Sequence, residues 1–353
     1  MLKSHSMFSQ SYPEAHLQRI YLPPMAGVTD LIFRRVVRYV LGERLQRYVR
    51  LSTEMISSKG IMYQANPQRM RLADDEKDKV VIQLFGHEPE TMAYAAQIAQ
   101  KAGAAAIDIN MGCPVPKIVN GKDGAALMKE PCLAVEIAKH TVKAVDIPVS
   151  VKTRLGWNQD SINISDLALR LQDAGIKSIT IHGRTRAQRY SGQADWQAIA
   201  AVRQLLDIPV YANGDINSPH SAKQALEITN AHGVACARGV IGNPWLLRDI
   251  ANSFVEGHSL EQVSPSERIE LLRLHVQWAY EDKGFLGVQA VKKHMKYIQG
   301  VKNASKWREL ISRSQDYQEI LDNIDRLQES INSPANCNYN FQQQNHTNKS
   351  PAC

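Results

Sequence analysis

Cys113 sits where a strand-like run, Ile107-Asp108-Ile109-Asn110-Met111, breaks into Gly112 and leaves through Pro114. Apolar residues alternate with Asp108 and Asn110 as in a buried strand, Gly112 permits a tight turn, and Pro114 stiffens its exit. A thiol at the carboxyl end of a strand stands where α/β proteins put their chemistry. The competing reading is a small buried hydrophobe, the common fate of a free cysteine. Other polar residues end other apolar runs: Glu54, Gln83, Asn110, Lys152, Arg154, His182, Arg184, and the turns Asn213-Gly214-Asp215 and Ala237-Arg238-Gly239. That inventory is rich in donors and cations and poor in carboxylates, so it lacks the ligand cluster a zinc or magnesium hydrolase needs.

The two turns read as an anion site, because small residues let backbone N–H groups approach a phosphate. Lys152, inside an apolar strand end, must either pair with Glu54 or Asp108 or face an anionic ligand. A lone histidine such as His182 is more often structural. A phosphate grip, an amide at Gln83, a lysine and a nearby cysteine together suit flavin mononucleotide (FMN). Its phosphate would lie at the two turns and its polar ring edge at Gln83 and Lys152, where a cation favours the reduced anionic flavin. Cys113 is then a proton donor beside it.

These residues need a scaffold that brings strand ends together. From Ile20 onward, eight strand-like runs appear at 20–25, 49–54, 80–85, 105–110, 149–153, 178–182, 210–213 and 234–237. Helical patterns follow most of them, at 30–41, 88–101, 132–144, 160–173, 195–206, 218–229 and 245–254, with Asp30 and Ser218 as N-caps and Gly103 and Gly175 at helix C-termini. Eight repeats of this length predict an α/β fold, a (β/α)₈ TIM barrel. The competing open sheet would carry a G-x-G-x-x-G loop after its first strand, and residues 25–30 read MAGVTD. Residues 264–332 read as helices only, a small all-helical domain following a barrel at 18–255. Residues 1–17 are expected to be a flexible segment and 333–353 a disordered tail.

The five cysteines have no paired spacing, which argues against a disulfide framework and fits a reducing compartment. No apolar run is long enough to span a membrane, and the first residues lack a signal-peptide core. The net charge of +7 is concentrated. Residues 283–313 hold eight Lys or Arg against Glu309, with His275, His294, Tyr297 and Trp307 in the same region, and residues 34–50 hold six Arg against Glu43. The plain reading is a pair of solvated helix faces; the more specific one is contact with nucleic acid.

The runs 23–30 (PPMAGVTD), 81–86 (VIQLFG), 108–114 (DINMGCP), 150–156 (SVKTRLG), 181–185 (IHGRT), 212–216 (ANGDI) and 242–245 (GNPW) resemble, in order, the tRNA-dihydrouridine synthase family. The resemblance covers roughly residues 20–250 and extends more loosely over the helices. It implies an FMN barrel, reduced by NADPH or NADH, that reduces the C5–C6 bond of a uridine in tRNA. By matching position it implies Cys113 as the proton donor to C5. It implies Pro24, Met25, Ala26, Gln83, Lys152, His182, Asn213, Gly214, Asp215, Ala237 and Arg238 around FMN, and Asn110 and Tyr190 at the substrate base. It also implies a cytoplasmic enzyme, active as a monomer, with tRNA as its partner. Ala237 departs from the family's usual glycine, and alanine disfavours positive φ, so weaker FMN affinity is an expectation. A small-molecule flavoenzyme of the dihydroorotate-dehydrogenase or ene-reductase type, or a catalytically silent RNA-binding barrel, are the alternatives.

Overall fold

The computed structural model describes residues 18–63, 70–254 and 262–332. The segments expected to be flexible at 1–17 and disordered at 333–353 lie outside them. Eight parallel strands close into a barrel in sequence order: β1 (Ile20–Leu22), β2 (Val49–Ser57), β3 (Val80–Phe85), β4 (Ala106–Met111), β5 (Val149–Arg154), β6 (Ser178–His182), β7 (Val210–Asn213) and β8 (Gly233–Ala235). Around it lie α1 (Leu31–Gln46), α2 (Pro89–Lys101), α3 (Pro131–Ala144), α4 (Ile164–Asp173), α5 (Trp196–Leu205), α6 (Pro219–Thr229) and α7 (Trp245–Phe254). The expected TIM barrel is the observed one.

Local rules account for the element ends. β1 stops at Leu22, three residues short of the run read from sequence, because Pro23 and Pro24 have no N–H to give the ladder. Asp30 caps α1 by accepting from Phe33 N at 2.9 Å, and Ser218 caps α6 by accepting from Ser221 N at 3.0 Å. Gly103 and Gly175, at φ 91° and 99°, make the left-handed turns after α2 and α4. α4 begins at Ile164, not residue 160, because Gln159–Ser161 forms a separate 3-10 turn.

Along β4, Ile107, Ile109 and Met111 join the apolar layer between barrel and helices, while Asp108 and Asn110 point inward. The barrel interior is correspondingly polar: Arg50, Ser52, Asp108, Ser150, Ser178 and Tyr211 are all buried there.

After the barrel come α8 (Pro265–Val291), a 3-10 turn (Lys292–Tyr297), α9 (Ala304–Arg313) and α10 (Tyr317–Asn332). α8 is two helical stretches that meet at a kink at Lys283 and Gly284, where Gly284 takes φ 58°. Residues of α8, α9 and α10 share one continuous apolar core with α1 and α7.

Part of the basic stretch at 34–50 is turned inward, which takes Arg34, Arg38 and Arg50 out of any contact face and leaves Arg35, Arg44 and Arg47 exposed. Arg34 is 2% exposed and pairs twice with buried Glu76, at 2.9 and 2.7 Å; Arg38 joins the same carboxylate. Arg50 lies inside the barrel, donating to Ser178 and Ser150. Burial opposes ionisation of Glu76, yet the Arg34 and Arg38 guanidiniums hold its carboxyl below the ordinary value. Glu76→Gln strands two arginines, and breaking such a buried pair costs about 3–5 kcal/mol. Urea unfolding of the variant measures that loss, and a change under ~1 kcal/mol would show that Arg34 finds other partners.

Candidate active site

The strand ends open onto a cavity of about 540 Å³, the size of a small-ligand site. Every site residue expected from the sequence lines it: Pro24, Met25 and Ala26 from the β1 loop, Gln83 from β3, Asn110 and Cys113 from β4 and its loop, Lys152 from β5. His182 ends β6, Tyr190 follows in its loop, and Asn213, Gly214, Asp215, Ala237 and Arg238 complete the wall. Pairing register produces this ring, with Gln83 beside Asp108, Asn110 beside Lys152, and His182 beside Asn213.

Lys152 pairs with neither of the carboxylates expected for it. Its Nζ donates to Asn213 Oδ1 at 3.0 Å, and Asn213 is held by donating to Ala235 O at 2.8 Å. Glu54 instead accepts from Gly27 N, and Asp108 is engaged by Gln83 and Ser150. Burial, with Arg154 beside it, pushes the Lys152 ammonium down to about 8.

Arg154 and Arg184, both at strand ends, brace the loops around the cavity. Arg154 donates from Nε to Gly112 O at 2.7 Å and from Nη1 to Thr185 O and Arg189 O at 3.0 and 2.9 Å. It therefore ties the cysteine loop to the β6 loop and still lines the cavity. Burial lowers its guanidinium to about 10, so it stays charged at neutral pH. Arg184 clamps Asp215 through Nη2, at 2.8 and 2.7 Å, and Ala194 N adds a third bond to that carboxylate. Asp215 thus reaches the cavity wall with its charge already neutralised. No spacing rule would have revealed the partners of Arg154, which are backbone carbonyls of other loops.

Arg184 Nη1 also donates to His182 Nε2 at 3.2 Å, so that nitrogen is the acceptor and Nδ1 carries the proton. Burial and the surrounding cations Lys152, Arg154, Arg184 and Arg238 depress the imidazole far below its ordinary value, so His182 is a neutral donor. Tyr190 is 50% exposed, with the Arg238 guanidinium 4.3 Å and the Arg154 guanidinium 5.6 Å from its ring centre.

Two expectations about the anion turns change. The Cβ that an alanine would add at Gly214 meets Ala194 and His182, and at Gly239 meets Leu246. These glycines are therefore required by protein packing as well. Ala237 has φ −102°, so its alanine carries none of the strain expected of a glycine replacement. Arg238 and Gly239 open a 3-10 turn, Arg238–Val240, and their N–H groups have no acceptor within it.

Cys113 is half-buried in the cavity wall. Burial raises its thiol above the ordinary value, Arg154 and Lys152 notwithstanding, so it is protonated at neutral pH. The site is an electropositive pocket with an undissociated thiol at one side. Chemically it can hold an anion and deliver one proton.

Beside this site, the helical segment fastens two of its loops. Lys293 Nζ donates to Gly27 O at 2.9 Å, and Gly242 N donates to His294 Nδ1 at 3.1 Å. His275, His294 and Tyr297 are buried, with rings packed on Phe33 and Trp245. They do not belong to the basic face in which the sequence placed them. Among the described residues no helix is long and apolar enough to cross a membrane, and no group of His, Cys, Asp and Glu could hold a metal.

The chain belongs to the dihydrouridine synthase family, whose model matches residues 21–332. A protein named probable tRNA-dihydrouridine synthase 1 from Synechocystis sp. is 44% identical over 310 residues, 87% of this chain and 86% of its own. The probable tRNA-dihydrouridine synthase of Rickettsia bellii is 38% identical over 316 residues, 88% and 95% of the two chains. tRNA-dihydrouridine synthase B of Pasteurella multocida is 37% identical over 308 residues, 86% and 90%.

The lysine makes the site's pH dependence predictable. For the FMN expected from the sequence, affinity should break downward as pH rises through about 8, where Lys152 loses its charge. Lys152→Gln should flatten that profile between pH about 7 and about 9.5. Fluorescence titration at a series of pH values reads it, and an unchanged break in the variant would assign the titration to another group.

Proposed function

We propose that this chain is a tRNA-dihydrouridine synthase: it binds FMN in the barrel mouth, draws electrons from NADPH or NADH, and reduces uridine to 5,6-dihydrouridine in tRNA. The observation that carries the reading is a protonated thiol, Cys113, in the wall of an electropositive pocket whose other members match the family's motifs. The donor set suits FMN. Lys152, Arg154 and Arg238 crowd one cavity with their charges incompletely countered, a cost that an anionic ligand relieves. Arg238 and the N–H groups of its turn suit the phosphate. Lys152, Gln83 and the Nδ1–H of His182 suit the acceptor edge of the ring, and Pro24, Met25 and Ala26 line the adjoining wall. FMN bound there would supply the hydride for uracil C6.

The remaining chemistry belongs to the chain. As C6 gains hydride, C5 becomes carbanion-like and needs an acid on the face opposite the hydride source. Cys113 supplies that proton from Sγ, and burial keeps the proton on sulfur until then. Asn110 and Arg154 hold the loop that aims it, through Gly112 and Cys113 N–H and through Gly112 O. Tyr190, half-exposed at the mouth, is placed to meet the incoming base. The base must leave the RNA stack to reach the cavity, which costs a few kcal/mol that phosphate contacts elsewhere offset. A cytoplasmic location, where tRNA is found, and a monomeric active form complete the proposal.

The helical segment is the source proposed for those contacts, with a narrower set of residues than its composition suggests. Lys292 donates to Ser312 O and Ser314 O, Lys293 to Gly27 O and Arg308 to Ile298 O, while Arg313 pairs with Glu309. Lys296, Lys302 and Lys306 are exposed, and these are proposed to face phosphate.

Two experiments test the reading. Cys113→Ala should retain FMN and oxidise NADPH at the parent rate while losing about 10²–10⁴-fold in dihydrouridine formation, the usual contribution of a general acid. Near-parental product from the variant contradicts the assignment. Lys296→Glu, Lys302→Glu and Lys306→Glu combined should weaken tRNA binding and flatten its salt dependence, by roughly 0.7–0.9 in log–log slope for each phosphate that is no longer neutralised. FMN content should not change. A triple variant with the parent's tRNA affinity and slope would show that this face is merely solvated.

A further inference from the structure

One carboxylate deep in the barrel decides which way two amides face. Asp108 is 1% exposed. Its Oδ1 accepts from Ser150 Oγ at 2.6 Å and its Oδ2 accepts from Gln83 Nε2 at 2.6 Å. Arg50 donates from Nη2 to Ser150 Oγ at 3.1 Å, and that hydroxyl's own acceptors are Asp108 Oδ1 at 2.6 Å and Ile107 O at 3.3 Å. Gln83 presents its NH₂ group to the Asp108 carboxyl and its carbonyl away from it. Gln83 Oε1 then accepts from Asn110 Nδ2 at 2.8 Å. Asn110 is forced in turn to point Oδ1 at the backbone, where it receives Gly112 N at 3.1 Å and Cys113 N at 3.0 Å.

Two chains of donors therefore converge on a single acceptor. Burial pushes the Asp108 carboxyl upward; the bonds from Ser150 and Gln83 and the charges of Arg50 and Lys152 oppose it. Amide oxygen and nitrogen are nearly equal in size, so sterics alone would let Gln83 and Asn110 sit either way round. Reversed, Asn110 would set its NH₂ group against the N–H groups of Gly112 and Cys113, donor against donor. The Gln83 amide would also meet the cavity with the wrong polarity.

We propose that Asp108 is a positioning residue whose carboxyl oxygen, by accepting from Gln83, sets the polarity of Gln83 and Asn110, making Gln83 a donor to the bound ligand and holding the Cys113 loop in place. The inference rests on the proposed function for what the loop and the ligand are. It adds a residue beneath the cavity that touches neither substrate nor cofactor.

Two variants separate the carboxyl from the link. Asp108→Asn can put an NH₂ donor in place of a carboxyl oxygen at constant size and makes both amide orientations available. Gln83→Met keeps Asp108 and Ser150 paired but cuts the connection to Asn110. In flavin-free protein, iodoacetamide labelling of Cys113, read by peptide mass spectrometry, should be several-fold faster in both variants because the loop is loosened. FMN affinity should fall about tenfold in both, the worth of one well-placed hydrogen bond. In the flavin-loaded enzyme kcat should fall while KM for tRNA stays near the parent's. Parental labelling and FMN affinity in a folded Asp108→Asn would overturn the proposal. So would parental labelling in Gln83→Met, which still judges the link if Asp108→Asn does not fold. If the parent protein binds no FMN, the proposed function fails, while the labelling comparison continues to judge Asp108.

Discussion

Positive charge held out of water at the mouth of the barrel is the constraint on which the rest of this structure depends. Lys152, Arg154, Arg184 and Arg238 converge there, and the arrangement is tolerable because the buried ones are gripped from different directions. Asn213 receives Lys152, loop carbonyls receive Arg154, and Asp215 neutralises Arg184. The same grips organise the loops. Arg154 joins the cysteine loop to the β6 loop, and Arg184 joins the β6 and β7 loops. The pocket's electrostatics and its shape are one set of interactions. Cys113 keeps its proton because burial outweighs these cations.

The helical segment belongs to that arrangement as much as to any RNA surface. Its helices complete a core begun by α1 and α7, and its 3-10 turn reaches two loops of the barrel mouth through Lys293 and His294. Gly27 is held from both sides, its N–H by Glu54 and its carbonyl by Lys293. Met25 and Ala26, which line the cavity, stand immediately before it. The surface proposed to face tRNA is therefore built onto the loops that shape the pocket.

Much of this was legible in the sequence, for identifiable reasons. Eight short apolar runs, each ending in polar residues, specify parallel strands and place their ends at one mouth, so the residues lining the cavity follow from the pattern even though their geometry does not. Pro23 shortened β1 because the missing donors outweigh an apolar pattern. Charge was read least well. Arg34 looks like surface until Glu76, 42 positions away, is folded against it. Lys292 looks like a phosphate contact until its ammonium meets the carbonyls that end α9. His275, His294 and Tyr297 carried polar atoms but supplied buried packing. Composition counts charges, whereas pairing is a property of the tertiary fold. The orientation of Gln83 and Asn110 lay further still from the sequence, since it follows from hydrogen-bond direction and not from residue type.

The most direct test couples the two half-reactions in one turnover. The protein is loaded with FMN, reduced with NADPH without oxygen, freed of excess reductant and mixed with tRNA lacking dihydrouridine. The account predicts that flavin absorbance returns only when tRNA is added, with one dihydrouridine formed for each flavin reoxidised. Reoxidation without dihydrouridine, or a reduced flavin that tRNA leaves untouched, would contradict it.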